Sequence, residues 1–186
     1  PIYGDLNLTA DRVYPTTMSD FGISTPGTIT VLKNPTATTE GPVLSAGGSL
    51  GLTASRINHQ GALYAPLGSL TLTSDERTFL GSGSILSTRG QAPVSYGTVD
   101  DIAWTRTSKD NPDDPTETVD VLSAPEKSIV IDGGSATIVM GNAVIDASGG
   151  GSIYSSRFLP GVEGSHDPLS KSGRYVIVPG VSLPGE

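Results

Sequence analysis

Apolar and polar residues alternate with period two at several places along the chain: Ile29 and Val31, Leu50 and Leu52, Leu70 and Leu72, Ile129 and Ile131. Such short alternating runs predict half-buried β-strands, with one face on a core and one on solvent. A Gly or Ala-Pro turn immediately precedes each run. Shorter strands are predicted around Ile57, at Ala62-Leu63-Tyr64, at Ser84-Ile85-Leu86 and at Ala143-Val144-Ile145.

The runs belong to a repeated phrase. Leu63-Tyr-Ala-Pro-Leu-Gly-Ser-Leu-Thr-Leu72 aligns without gaps on Leu122-Ser-Ala-Pro-Glu-Lys-Ser-Ile-Val-Ile131, so that Leu63 falls on Leu122 and Leu72 on Ile131. Leu44–Leu52 is the same phrase one position shorter, and Thr25–Val31 and Gly4–Leu8 are weaker copies. Four of these runs open on Gly4, Gly27, Gly48 and Gly68, which are nearly evenly spaced. The period is roughly 20 residues, too short for helical-hairpin repeats and suited to one coil of a β-solenoid. The alignment of Leu63 on Leu122 spans close to three such units. The expected fold is therefore all-β: a single parallel β-helix of about 20 residues per coil. Coils about 4.8 Å apart would stack Leu on Leu and Ile on Ile, roughly seven to nine of them in a chain of this length. Residues 91–121 interrupt the alternation and are expected to project as an acidic loop containing a small hairpin. Pro93, Pro112 and Pro115 are expected to keep this insertion from joining a neighbouring sheet.

Composition narrows the choice. With 24 Gly and 14 Pro among 186 residues, and abundant Ser and Thr, the chain is poor in helix formers. Val, Ile and Leu are plentiful and only 16% of residues are charged, which argues against disorder. The net charge of −8 leaves no basic patch to displace counterions from nucleic acid, and disfavours anionic membranes. No apolar run approaches a membrane-spanning length. Cysteine is absent, which excludes disulfides, cysteine-ligated zinc and thiol catalysis. The opening Pro1 suggests a piece of a longer chain.

The stretch Val144-Ile-Asp-Ala-Ser-Gly-Gly-Gly-Ser-Ile-Tyr154, continuing into Phe158-Leu-Pro-Gly-Val-Glu-Gly-Ser-His-Asp-Pro-Leu169, resembles a segment of large bacterial exoproteins of the filamentous haemagglutinin type. The repeat Ala65-Pro-Leu-Gly-Ser-Leu-Thr-Leu-Thr73 is similar to theirs as well. The resemblance covers about residues 44–90 and 122–170 and implies a right-handed β-helix. It also implies secretion through an outer-membrane two-partner-secretion transporter and display on a Gram-negative surface. The implied role is adhesion or toxin delivery, with a glycan or protein on a host or bacterial cell as partner. The acidic insertion is not part of the shared pattern.

Candidate chemistry is sparse. Gly47-Gly-Ser49-Leu-Gly51 matches the nucleophile-elbow pattern, but it leads into a strand rather than a helix and reads as turn chemistry. His59 and His166 are the only histidines, each expected at a solvated corner or turn. Residues 99–121 hold seven acids, with Arg106 and Lys109 against them. Trp104, Tyr96, Arg106, Asp100 and Asp101 are the candidate partner-binding patch, since exposed tryptophan is a frequent interface anchor. The bland reading is that Trp104 covers a satellite core. Asp110, Asp113, Asp114 and Glu117 offer carboxylate oxygens to calcium, without the glycine and spacing of an EF-hand loop. No other cofactor is implied.

These features lead to the expectation of a non-enzymatic structural or adhesive segment that binds through exposed loops. A polysaccharide-cleaving β-helix enzyme and a calcium-dependent adhesive module are the alternatives. The enzyme needs two carboxyls about 6.5–9.5 Å apart on one face, whereas adjacent acids on a strand point to opposite faces.

Overall fold

The computed structural model describes residues 3–36, 41–100, 103–108, 114 and 117–157. The chain divides into two compact units, Pro1–Ser156 and Arg157–Glu186, and all the strands described here belong to the first. They are β1 (Leu6–Ala10), β2 (Asp20–Ser24), β3 (Thr28–Lys33), β4 (Ser49–Gln60), β5 (Ala62–Tyr64), β6 (Ser69–Leu80) and β7 (Ile85–Ser87). There follow β8 (Pro93–Asp100), β9 (Ala103–Thr107), β10 (Thr118–Asp120), β11 (Ser128–Asp132), β12 (Ala136–Val139), β13 (Val144–Asp146) and β14 (Ser152–Ser156). No helix occurs among the described residues. The protein is all-β, and its sheets are mostly parallel.

The largest sheet follows the order β1-β3-β4-β6-β11, with β2 also on β4 and β12 also on β6, all parallel. The long strands β4 and β6 each serve two shorter ones, as β2 and β3 lie on successive halves of β4 and β11 and β12 on successive halves of β6. The smaller sheet is β5-β7-β13, also parallel. Pairing is in register, so like lies on like. Phe21, Leu50, Leu70 and Ile129 form one column and Ile23, Leu52, Leu72 and Ile131 the next. Leu50, Leu52, Leu70 and Leu72 are buried in the main core with Ile29, Val31, Ile57, Leu63, Leu80 and Leu86. The outward positions between them, such as Thr53 and Thr73, stay partly or fully exposed.

The step between paired strands varies. From β4 to β6 it matches the repeat period: Ser49 pairs with Ser69. It then lengthens by one, Arg56 pairing with Arg77, because the register shifts between Ala54 and Arg56. This is the signature of a β-bulge, with the extra residue on the β6 side. The step is a little longer from β1 to β3, where Leu6 pairs with Ile29, and from β5 to β7, where Ala62 pairs with Ile85. It is longer again from β3 to β4, where Thr28 pairs with Arg56. The longest joins β6 to β11, Ser69 on Ser128, and the same offset sets Ile85 of β7 on Val144 of β13. Longer connections are thus accommodated without disturbing register, and the shortest period holds for one step alone. The path through the largest sheet is five strands deep among the described residues.

Three strands lie among the described residues of the segment 91–121. β8 runs parallel to β14, Pro93 opposite Ser152 and Val94 opposite Ile153, again at the offset that joins β6 to β11. Departure from the parallel array comes after Thr98, where β8, β9 and β10 form an antiparallel meander. Pro93 does not block pairing, contrary to the expectation, because it occupies the first position of its strand, where a missing N–H is tolerated.

Two glycine contacts show how closely the turns stack. A Cβ on Gly68 would lie 1.9 Å from the Gly48 carbonyl oxygen, and one on Gly90 would lie 2.1 Å from that of Gly150. No side chain fits at either place.

Truncating a column residue should cost far more than truncating its outward neighbour. Leu72→Ala is expected to lose about 2–5 kcal/mol by lost burial and cavity formation. Thr71→Ala should stay within about 0.5 kcal/mol. Urea denaturation of the two variants gives both values.

Candidate functional site

The acidic segment places its tryptophan on β9, opposite Val99 of β8 in the antiparallel ladder. Trp104 is half-buried and donates its indole N–H to the Tyr96 carbonyl at 3.2 Å. It packs on a second core of Ala46, Val94 and Tyr96, joined by Met18, Leu67, Val121 and Ile153. Tyr96 is 5% exposed and presents almost nothing to a partner. Its inward position follows from strand alternation, since it shares a face with the buried Val94, and its ring lies against the Gly47 turn. One face of Trp104 thus covers a satellite core. The other borders an apolar hollow of about 310 Å³ with Val121, Leu122 and Ile153. Leu122 is 90% exposed.

Arg106 is half-buried, two positions along β9 from Trp104. Its Nη1 donates to the Thr107 carbonyl at 3.1 Å, and it lines a separate hollow with Glu126, Ser49 and Ser69. Asp100 ends β8, in register with Ala103. Asp101, Asp110 and Asp113 lie outside the described residues, as does His166. Asp114 and Glu117 are exposed, and the Glu117 N–H donates to the Asp114 carbonyl at 3.2 Å in the turn before β10. Among the described residues no three histidine or acidic side chains converge as a metal site would require. Ser49, the serine of the nucleophile-elbow pattern, opens β4 and donates its hydroxyl to the Asp20 carboxylate.

His59 corrects the expectation of a solvated histidine. It is fully buried between Val31 and Leu80 in the column Leu8–Val31–His59–Leu80–Val139, whose far end at Val139 is exposed. Its Nε2 lies 3.0 Å from the Ile85 carbonyl oxygen, so that nitrogen carries the proton, and Nδ1 has no partner. Burial pushes the imidazole below its ordinary value, and the hydrogen bond to Ile85 opposes this only in part.

Exposed carboxylates are tuned locally. Hydrogen bonds from Ser55 and then Arg56 hold Glu76 below the ordinary range, and Arg56 and Glu76 form an ion pair. Asp146 is lowered by hydrogen bonds from the Ser148 side chain and backbone, with Arg89 and Lys127 adding smaller charge effects.

A polar groove over the smaller sheet has no counterpart among the sequence motifs. Two adjoining hollows, about 410 and 370 Å³, share Tyr64, Ile85 and Gln91. Arg12 and Lys33 border one and Arg89 and Asp146 the other. These residues are far apart in the chain and are brought together by the register of β5, β7 and β13, by the pairing of β3 with β1, and by the bridge between Val13 and Leu63. The outward place of Tyr64 in Ala62-Leu63-Tyr64 is the one signal of it in the sequence.

Compared with protein-family models, curated proteins and solved structures, the chain matches none of them.

His59 makes the protein acid-sensitive in a defined window. The native imidazole resists protonation, while in the unfolded chain it titrates near about 6.5. Below that pH the unfolded state takes up a proton that the native state refuses, so stability falls with falling pH by at most about 1.4 kcal/mol per unit. Denaturant midpoints at pH 7.5 and 5.0 should differ in the wild type and differ less in His59→Met. The carboxylates act lower, since both states keep them ionised until about pH 5.

Proposed function

We propose that the Pro1–Ser156 unit is a right-handed parallel β-helix, and that the chain is a structural and adhesive segment of a secreted bacterial surface protein. In this reading it belongs with the filamentous haemagglutinin-type exoproteins whose repeat phrases it resembles. A two-partner transporter exports it through the outer membrane, and its partner is a glycan or protein on a host or neighbouring cell. No residue performs chemistry. Right-handedness follows from the general preference of crossovers between parallel strands, which take that hand in about 98% of cases.

The observation that carries the proposal is the pairing of β6, held in register by β4 on one edge and by β11 and β12 on the other. A ladder built this way extends by adding rungs, and its backbone hydrogen bonds run along the direction of growth. That suits a spacer. The β8–β9–β10 meander leaves the ladder sideways and carries Trp104 beside the exposed Leu122. An apolar hollow with an aromatic wall, formed by Trp104 of β9, Ile153 of β14 and the segment 121–124 that follows β10, suits recognition.

Binding of the purified chain to bacterial and epithelial cells, and to a glycan array, tests the reading. The wild type should bind, and Leu122→Asp should bind at least about tenfold more weakly with its melting temperature retained, since a charge replaces exposed apolar contact. Trp104→Ala should lose binding too, with some loss of stability from the satellite core. Binding that neither substitution changes, or no binding at all, would remove adhesion through the meander from the proposal.

A further inference from the structure

We infer that the groove over the smaller sheet is a binding site for an acidic oligosaccharide, one built from uronate units, seated across β5, β7 and β13 with Tyr64 at its centre. This rests on the adhesive reading and adds to the Trp104–Leu122 hollow a second face with its own ligand class.

The outer face of the smaller sheet forms the floor. Leu63 and Leu86 point into the core, so their neighbours point outward. The outward positions form two columns, Ala62–Ile85–Val144 and Tyr64–Ser87–Asp146. Ala62 and Ser87 face outward yet are only 7% and 4% exposed. The floor is therefore recessed between walls. The two hollows meet at Tyr64, Ile85 and Gln91, and each lies within the range of about 300–1,000 Å³ usual for small-molecule sites. Three strands about 4.8 Å apart give a floor long enough for more than one sugar ring.

The walls carry the specificity. Arg12, Lys33 and Arg89 border the groove of a chain whose net charge is −8. Arg12 is fixed in place by donating Nη1 to the Gly41 carbonyl at 2.7 Å, which leaves other guanidinium N–H groups to give. Guanidinium groups match carboxylates through paired hydrogen bonds. Two carboxylates, Asp11 and Asp146, stand among these cations. Asp11 accepts from the Asn34 amide at 2.8 Å and Asp146 from the Ser148 N–H at 2.9 Å, so both are held in position. An ionised carboxylate accepts at several lone pairs, so these bonds do not close it to a ligand hydroxyl. A ligand here must both accept from cations and donate to carboxylates. A uronate sugar does both, through its carboxylate and its hydroxyls. Inorganic phosphate at neutral pH offers only one or two donor hydroxyls and no ring face. Its charge is repelled by Asp11 and Asp146 without the many sugar hydroxyls that would offset this. The Tyr64 ring adds an apolar surface with a polar rim, suited to a sugar face. An extended peptide has less to gain, because the backbone of β7 is already paired on both edges.

Calorimetric titration with hexagalacturonate tests the inference, with a neutral glucose hexamer and inorganic phosphate as comparison probes. The oligouronate should bind with salt-sensitive affinity, and the neutral hexamer should bind more weakly. Arg89→Gln and Lys33→Gln, both at exposed positions, should each weaken it about tenfold while melting temperature holds. Tyr64→Ala should also weaken it, and Tyr64→Phe should weaken it less. No binding, affinity unchanged in the two charge variants, or phosphate binding as tightly as the oligouronate would overturn the inference. Running the same variants in the cell-binding assay separates the two claims. If Leu122→Asp abolishes adhesion while hexagalacturonate does not bind, the groove fails and the adhesive reading stands. If neither binding is seen, both fail.

Discussion

A parallel ladder holds neighbouring strands about 4.8 Å apart, with each residue beside its partner. That spacing governs what the interior can contain. A residue whose side chain points inward must fill the gap between the side chains before and after it in its column. Leu52 and Leu72 do this between Ile23 and Ile131. It also governs the turns, because the backbones that link the sheets must stack at the same distance. Gly68 on Gly48 and Gly90 on Gly150 are the places where this closeness leaves no room for a Cβ. Core and turns answer to one dimension, and the same dimension sets the outward columns in which Tyr64, Ser87 and Asp146 come together.

Much of the architecture is legible in the sequence because the repeat is physical. The alignment of Leu63–Leu72 on Leu122–Ile131 is the register in which β6 meets β11 and β12. The alternating runs at Ile29, Leu50, Leu70 and Ile129 are strands of the largest sheet. β8 is harder to see. Its inward residues are Val94 and Tyr96, and Gly97 ends the alternation after that single pair. An alternation that short carries little periodic signal. His59 looks solvated when polarity is given more weight than position, although it continues the alternation set by Ile57.

The functional surfaces are less legible for a related reason. Tyr96 and Trp104 are close in sequence, but one is buried and the other bridges core and surface. Composition does not distinguish those roles, and only the pairing of β8 with both β14 and β9 does. The groove is a stronger case. Arg12, Lys33, Tyr64, Arg89 and Asp146 come from successive passes of the chain, and no local motif links them. In a stacked fold, chemistry gathers across rungs, so its residues lie far apart in the sequence.

The long step from β6 to β11 bears on how such a molecule changes over time. Closing a flexible connection of about 60 residues rather than about 20 costs only about 1 kcal/mol more in chain entropy, since the dependence on length is logarithmic. The registers on either side depend on side chains within the strands and not on what lies between them. New material inserted between rungs is therefore nearly neutral to the scaffold. A peptide or small domain grafted between β6 and β11 would inherit a fixed mounting without any redesign of the core.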